Sequence, residues 1–355
     1  MDFDDVSRLA AAVGRLDEAA MHATLERQQQ LTKPAGSLGK LEGLSLWLAG
    51  VQASGPLRRL DRKRLVIFAG DHGVSARGVS AYPPEVTAQM VRNIVAGGAA
   101  ANVLARRVDV GVRVLDISVD ADLADLPADV GRYKVRRGSG AIDKEPALTE
   151  EEMLQAFTAG VAVADEEIDS GADLLVVGDM GIGNTTIAAA LVCAVIGGEP
   201  VAMVGRGTGV DDFAWTRKVA VVRDALRRCK HSAFQPLDLL RELGGADVTA
   251  MCGFLLAAAA RRTPVVLDGV VAGAAAAAVS RLCPAAVGFF AAGHRSTEPA
   301  HTAALTHLGL TPLLELELRL GEGTGALLAV GLLDAAVDIA CDMATFDEAG
   351  VSSRA

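Results

Sequence analysis

From Arg64 onward, short apolar runs alternate with helix-length stretches, and this pattern predicts βαβ units and a mostly parallel sheet. The runs are Leu65–Phe68, Val112–Ile117, Asp173–Val177, Val201–Val204, Pro264–Leu267 and Ala286–Phe290. Ahead of them, residues 1–60 carry apolar positions at helical spacing. Val6–Leu25 predicts one helix, which Glu26–Gln30 continues as a solvated face. Pro34 and Gly36 then break it. Ser37 is placed to cap a further helix with Leu38, Leu41, Leu44 and Leu48 on one face. Near the end, Leu314, Leu316 and Leu318 alternate with Glu315, Glu317 and Arg319, which predicts an extended segment with one buried face before an apolar helix over Leu327–Ala340.

The predicted strands share one regularity. Nearly all run into a glycine-containing loop that carries a polar or charged residue. Ligands of open α/β sheets bind beyond the carboxyl ends of the strands, so Asp71, His72, Asp179, Arg206, Asp268 and His294 are expected to meet in one crevice. The densest stretch is Asp173–Thr186, DLLVVGDMGIGNTT: a strand, a loop rich in glycine, and the first turn of a helix. Such a loop lets backbone N–H groups approach an anion, and the helix N-terminus adds its dipole. A phosphate cradle is the expectation, although the spacing is neither GxxxxGK[ST] nor GxGxxG. Ordinary turn chemistry is the competing account of each loop taken singly. A second dense stretch, Leu318–Ala326 (LRLGEGTGA), sets Glu322 between two glycines. A carboxylate held there is a candidate general base, and a solvated turn glutamate is the bland alternative.

Composition narrows the classes. The 355 residues are 51% hydrophobic and 4% aromatic, with a formal net charge of −10. Without a basic run or stacking aromatics, no nucleic-acid partner is expected. The acidic start predicts no secretory leader, and the alanine-rich stretch near Met251–Ala260 falls short of the roughly 20 residues that span a bilayer. Five scattered cysteines read as free thiols of a cytoplasmic protein, and the histidine spacing suggests no metal site.

Taken together, seven segments resemble the nicotinate-nucleotide–dimethylbenzimidazole phosphoribosyltransferases. They are LTKPAGSLGKLE (Leu31–Glu42), AGDHGVSARGVSAYP (Ala69–Pro83), GDMGIGNTT (Gly178–Thr186), GRGTGVDD (Gly205–Asp212), ELGGADVTAMCGF (Glu242–Phe254), VVLDG (Val265–Gly269) and LRLGEGTGA. They fall in the family's order and cover most of the chain. The resemblance implies transfer of the 5-phosphoribosyl group from nicotinate mononucleotide to 5,6-dimethylbenzimidazole, with inversion at C1′ and no cofactor or metal. It makes Glu322 the base and places Asp179, where the family usually has glutamate, on the ribose or acting through water. Gly181, Gly183, Asn184, Thr185, Thr186 and Lys218 match the phosphate and ribose site, and Ser80, Tyr82 and Gln89 the region bordering the acceptor base. His72 and His294 are expected beside the site without assigned roles. Arg206 is a weaker cation candidate, and a structural role is the alternative for Asp268. The implied fold is a three-layer α/β/α arrangement with a mostly parallel Rossmann-like sheet. A small helical domain (residues 1–60 with 335–355) is expected beside the large α/β domain (61–334), in a homodimer. A related transferase using another base or a phenol, and a non-catalytic nucleotide binder on the same fold, stay open.

Overall fold

The computed structural model describes residues 1–53, 55–232 and 235–352. Among them, its sheet has five strands: β1 (Lys63–Gly70), β2 (Val110–Ser118), β3 (Leu174–Met180), β4 (Val265–Leu267) and β5 (Phe290–Ala292). Their order is β2-β1-β3-β4-β5, with every pairing parallel. Strand side chains alternate between two apolar layers, as a period of two requires. Val66, Phe68, Leu175 and Val177 face one layer, built on helices Glu150–Asp169, Asn184–Ile196, Gly245–Ala260 and Val270–Leu282. Leu65, Ile67, Leu174 and Val176 face the other, with Val91, Ile94, Ala101 and Val330. Both faces are covered, which is why the strands read as unbroken apolar runs. This is the expected three-layer α/β/α fold.

The chain begins the sheet at β1, steps to β2 on one side, and then crosses to β3 on the other. The order therefore reverses between β1 and β3, and the crevice of such a sheet opens at that point. Asp71 and His72 follow β1, and Gly181–Asn184 follow β3, so the topology brings them to the same edge.

At the opposite end of the chain, helix Thr324–Asp342 runs unbroken across residues 334 and 335 and packs against helix Lys40–Gln52. The Arg27 guanidinium donates to the carbonyls of Ala340 and Cys341, at 2.6 and 3.0 Å. The first helix, Phe3–Ala12, packs instead on helix Gly245–Ala260, with Val6 in the core.

Several local expectations are corrected. Residues 6–25 form two helices, Phe3–Ala12 and Glu18–Gln30. Asp17 caps the second by accepting from the Ala20 amide, and its own N–H is taken by the Gly50 carbonyl. The cap of helix Lys40–Gln52 is Gly39, at φ +54°, and not Ser37. Val201–Val204 is no strand. Pro200 opens a helical turn over Pro200–Met203, with Val201 exposed, because proline's fixed φ suits the first helical position. Pro284 likewise starts a 3-10 turn, Pro284–Phe289, which delays β5 to Phe290. Leu314–Leu318 buries no single face. Leu314 pairs once with His294, and Leu316 is exposed. Finally, Pro236–Ala260 is helical throughout, and it and Thr324–Asp342 are each long and apolar enough to cross a bilayer by length and composition. In the first, 94% of the apolar window is buried within the protein, the mark of a core helix.

That core helix meets helix Glu150–Asp169 at near backbone contact. A Cβ on Gly160 would lie 1.7 Å from the Ala250 carbonyl oxygen, and one on Gly253 would lie 2.1 Å from that of Phe157. Overpacking a close helix pair typically costs about 1–3 kcal/mol. Gly253→Ala is therefore expected to lower the urea midpoint while leaving turnover per folded molecule unchanged.

Candidate active site

Two loops supply the carboxylates. The first follows β3. A side chain at Gly178 has no room, because its Cβ would lie 2.7–2.8 Å from the Glu322 carbonyl group and the Gly323 amide. Asp179 follows, and its carbonyl oxygen accepts from the Glu322 N–H at 3.2 Å. Its carboxylate accepts from Asn184 Nδ2 at 2.7 Å. Gly181 then presses its backbone against β1, where a Cβ would lie 2.1 Å from the Gly70 oxygen. Gly183, at φ +99°, turns the chain into helix Asn184–Ile196. Thr87 ties the two strand-end loops of β1 and β3 together, donating to Asp71 Oδ1 at 2.6 Å and accepting from the Ile182 amide at 3.1 Å.

The second loop follows Leu320. Gly321, Glu322 and Gly323 have φ of +85°, +61° and +83°, three left-handed residues in succession. For a non-glycine residue such as Glu322 this conformation costs on the order of 1–3 kcal/mol and persists only where its surroundings impose it. Asp268, beyond the end of β4, imposes it. Its Oδ2 accepts from Gly323 N at 3.2 Å, and its Oδ1 accepts from Gly325 N and Ala326 N at 2.8 and 3.0 Å. Helix Thr324–Asp342 has no cap of its own, so the carboxylate also serves its N-terminus. His294 stands 3.3 Å from Asp268 Oδ1.

The electrostatics follow from burial. Asp179 is buried, and its pKa lies well above the ordinary carboxylate range, first because burial penalises the charge and then because Asp268, Asp247 and Glu322 are negative neighbours. Glu322 is 3% exposed, and burial raises its pKa, with Asp268 adding to the rise and the Ala101 amide, which bonds to the carboxylate, opposing it. Among the described residues, its Oε2 has no hydrogen-bond partner. A buried glutamate with a raised pKa and one idle oxygen suits general-base work. Burial lowers the pKa of Lys218, which Glu298 partly offsets. Its ammonium donates to Thr185 Oγ1 at 2.7 Å.

The cleft beside these groups is lined by Asp179, Gly181, Asn184, Thr185, His294 and Gly321, among others. Lys218 reaches its wall through Thr185. Far from being a surface lysine, it is 1% exposed. Gly183 and Thr186 sit in the helix start, Thr186 fully buried. Ser80 lies 3.4 Å from Thr208, which lines the cleft. Tyr82 and Gln89 are exposed, and neither lines the cleft. Asp71 is a brace, accepting from Thr87 and from the Asp120 amide. His72 pairs with Asp247 at 3.2 Å. Burial works against its charge, but Asp247 and Asp71 carry its pKa above the ordinary value. Arg206 faces outward, bonded to Asp212 and the Val210 carbonyl, so it does not join the crevice.

Two cleft residues escaped the sequence reading. Glu298 accepts from the Gly207 amide at 2.8 Å, and Arg319 donates to the Gly207 carbonyl at 3.0 Å. Glu298 lies four residues after His294, and Arg319 lies within LRLGEGTGA as one of the polar positions of the alternating stretch, but neither carries a local pattern that marks it as a site residue. Nearby, His301 Nδ1 accepts from the Ser296 amide, and burial lowers its pKa to about 4, keeping the ring neutral. Among the described residues, no group of three potential ligands is placed to hold a metal ion.

The chain has close relatives. A sequence model of a family described as Phosphoribosyltransferase matches residues 13–351. The nicotinate-nucleotide–dimethylbenzimidazole phosphoribosyltransferase of Mycobacterium tuberculosis is 57% identical over 344 residues, spanning 97% of this chain and 95% of that protein. The one from Mycobacterium avium is 56% identical over 342 residues, with coverage of 96% and 97%. The crystal structure of CobT from Thermus thermophilus superimposes with a TM-score of 0.90 at 46% identity, covering 95% of this chain and all of that one. With a crevice at the switch point, a glycine-rich turn gripped by a buried lysine, and a glutamate held between two glycines, the chain belongs to the nicotinate-nucleotide–dimethylbenzimidazole phosphoribosyltransferase family.

Proposed function

We propose that this protein transfers the 5-phosphoribosyl group of nicotinate mononucleotide to a ring nitrogen of 5,6-dimethylbenzimidazole, with Glu322 as the base. The observation that carries the assignment is the contact between the two loops. The Glu322 peptide rests on the Asp179 carbonyl, and Asp179 opens the turn that leads to Asn184 and Thr185. The residue proposed as the base and the turn proposed to hold the phosphate are therefore neighbours through their backbones.

The donor phosphate sits at the N-terminus of helix Asn184–Ile196, where the dipole and amides favour an anion, and Lys218 adds a positive charge. The acceptor nitrogen attacks C1′ from the face opposite nicotinate. The C1′–N bond to nicotinate breaks, and its electron pair returns to the pyridine ring. As the new bond forms, Glu322 takes the benzimidazole N–H proton. Nicotinate leaves without needing a proton. Asp179 meets the positive pyridinium and the cation-like C1′. Burial favours its neutral form, and the arriving positive charge favours the carboxylate.

We read the working form as a cytoplasmic homodimer. All five cysteines are free thiols. Tyr82 and Leu320 are 55% and 59% exposed, and their neighbours Ala81 and Arg319 both bond to the Gly207–Thr208 turn, which supports an apolar rim there that a second copy covers.

Glu322→Gln is expected to keep the fold and lower kcat by about 10²–10⁴-fold, the usual worth of a positioned base. Chromatographic assay of α-ribazole 5′-phosphate checks this, and near-full turnover refutes the role. The same assay run with a panel of other bases and phenols tests the acceptor. Lys218→Ala removes a charge-assisted bond worth roughly 1.5–3 kcal/mol, so KM for nicotinate mononucleotide should rise by about tenfold or more. The base must be ionised, and its pKa is raised. Activity should therefore fall as pH is lowered through a limb above the ordinary glutamate range, and that limb should vanish from the residual rate of Glu322→Gln.

A further inference from the structure

The proposed reaction gives Asp268 nothing to do, yet it is a fully buried carboxylate whose two oxygens accept from three backbone amides. One of those amides, Gly323 N, belongs to the peptide that begins at the Glu322 carbonyl. The opposite edge of that peptide is closed by β3, where Gly178 leaves no space for a side chain. The peptide is held from both sides, and this fixes ψ of Glu322 while its φ stays at +61°. The other two amides open helix Thr324–Asp342, which has no side-chain cap of its own. On the far side, His294 stands 3.3 Å from Asp268 Oδ1, and its ring fills the space that a side chain on Gly325 would take, with that Cβ falling 2.1 Å from His294 Cδ2.

We propose that Asp268 is a positioning residue for the transfer: by gripping the amides around Glu322 from the neighbouring strand end, it sets where the base carboxylate stands over the acceptor. The inference rests on the reading of Glu322 as the base. A misplacement of about 1 Å at a reacting group can cost on the order of 10²-fold in rate. A plain helix cap would contribute stability only, whereas this cap also fixes the residue next to the helix.

Asp268→Asn preserves volume but turns an amide NH₂ toward backbone donors, so the turn loses part of its grip. The expected result is a fall in kcat of at least about tenfold with KM for nicotinate mononucleotide within about threefold of the parent, because the Gly181–Thr186 turn and Lys218 are untouched. The double variant E322Q/D268N should be no slower than E322Q alone, since groups acting as one unit are not additive. Losses that multiply in the double variant, or a D268N kcat within about twofold of the parent, would overturn the proposal. Where D268N shows no cooperative melt, Asp268→Glu replaces it, keeping the charge and shifting the oxygens by a methylene. The same kcat loss and the same non-additivity are expected, and parental kcat overturns the idea. Turnover retained by E322Q alone overturns the base assignment as well. Turnover lost in E322Q but kept in D268N overturns this inference alone.

Discussion

A single buried carboxylate, Asp268, holds the left-handed turn Gly321–Gly323 in place, and much of the site's geometry follows from it. Three amide bonds at one side chain offset both the cost of burying a charge and the cost of a glutamate at positive φ. With the turn fixed, the Glu322 peptide lies against β3, Gly178 must be a glycine, and Asp179 falls next to Glu322. Burial then raises the pKa of both acids. Local strain, close backbone approach and proton affinity are thus linked.

The sheet explains why these pieces meet. Parallel strands end at one edge, and the order reverses between β1 and β3. Residues separated by more than a hundred positions, such as Asp179 and Glu322, come into backbone contact without a long loop reaching across. The two His–Asp pairs, His72 with Asp247 and His294 with Asp268, flank the β3 end and tie helix Gly245–Ala260 and β5 to the site.

Much of this was legible in the chain. β1, β2, β3 and β4 are apolar runs bounded by glycine or charge, and the strand-end rule gathers Asp71, His72, Asp179, Asp268 and His294 at one edge, where the structure also has them. Arg206 departs from it because the Val201–Val204 run ahead of it is a proline-started helical turn, so no strand carries it to the crevice. The burial of Lys218 left no local trace, since Trp215-Thr216-Arg217-Lys218 reads as an ordinary solvated helix. Only the packing of helix Asp212–Arg228 against Asn184–Ile196 sends its ammonium inward. Glu298 and Arg319 were invisible for a similar reason, because both act on the backbone of Gly207, a partner no spacing rule identifies. Leu316 alternates as if buried, yet it lies exposed, as does Leu320, which lines the cleft.

The near contact of Gly181 with Gly70 has one more consequence. Main chain lies directly on main chain there, so position 181 has no room for a side chain. The spacing of the β1 and β3 ends is thus set by two glycines, and a methyl group at position 181 would have to push one strand end away from the other.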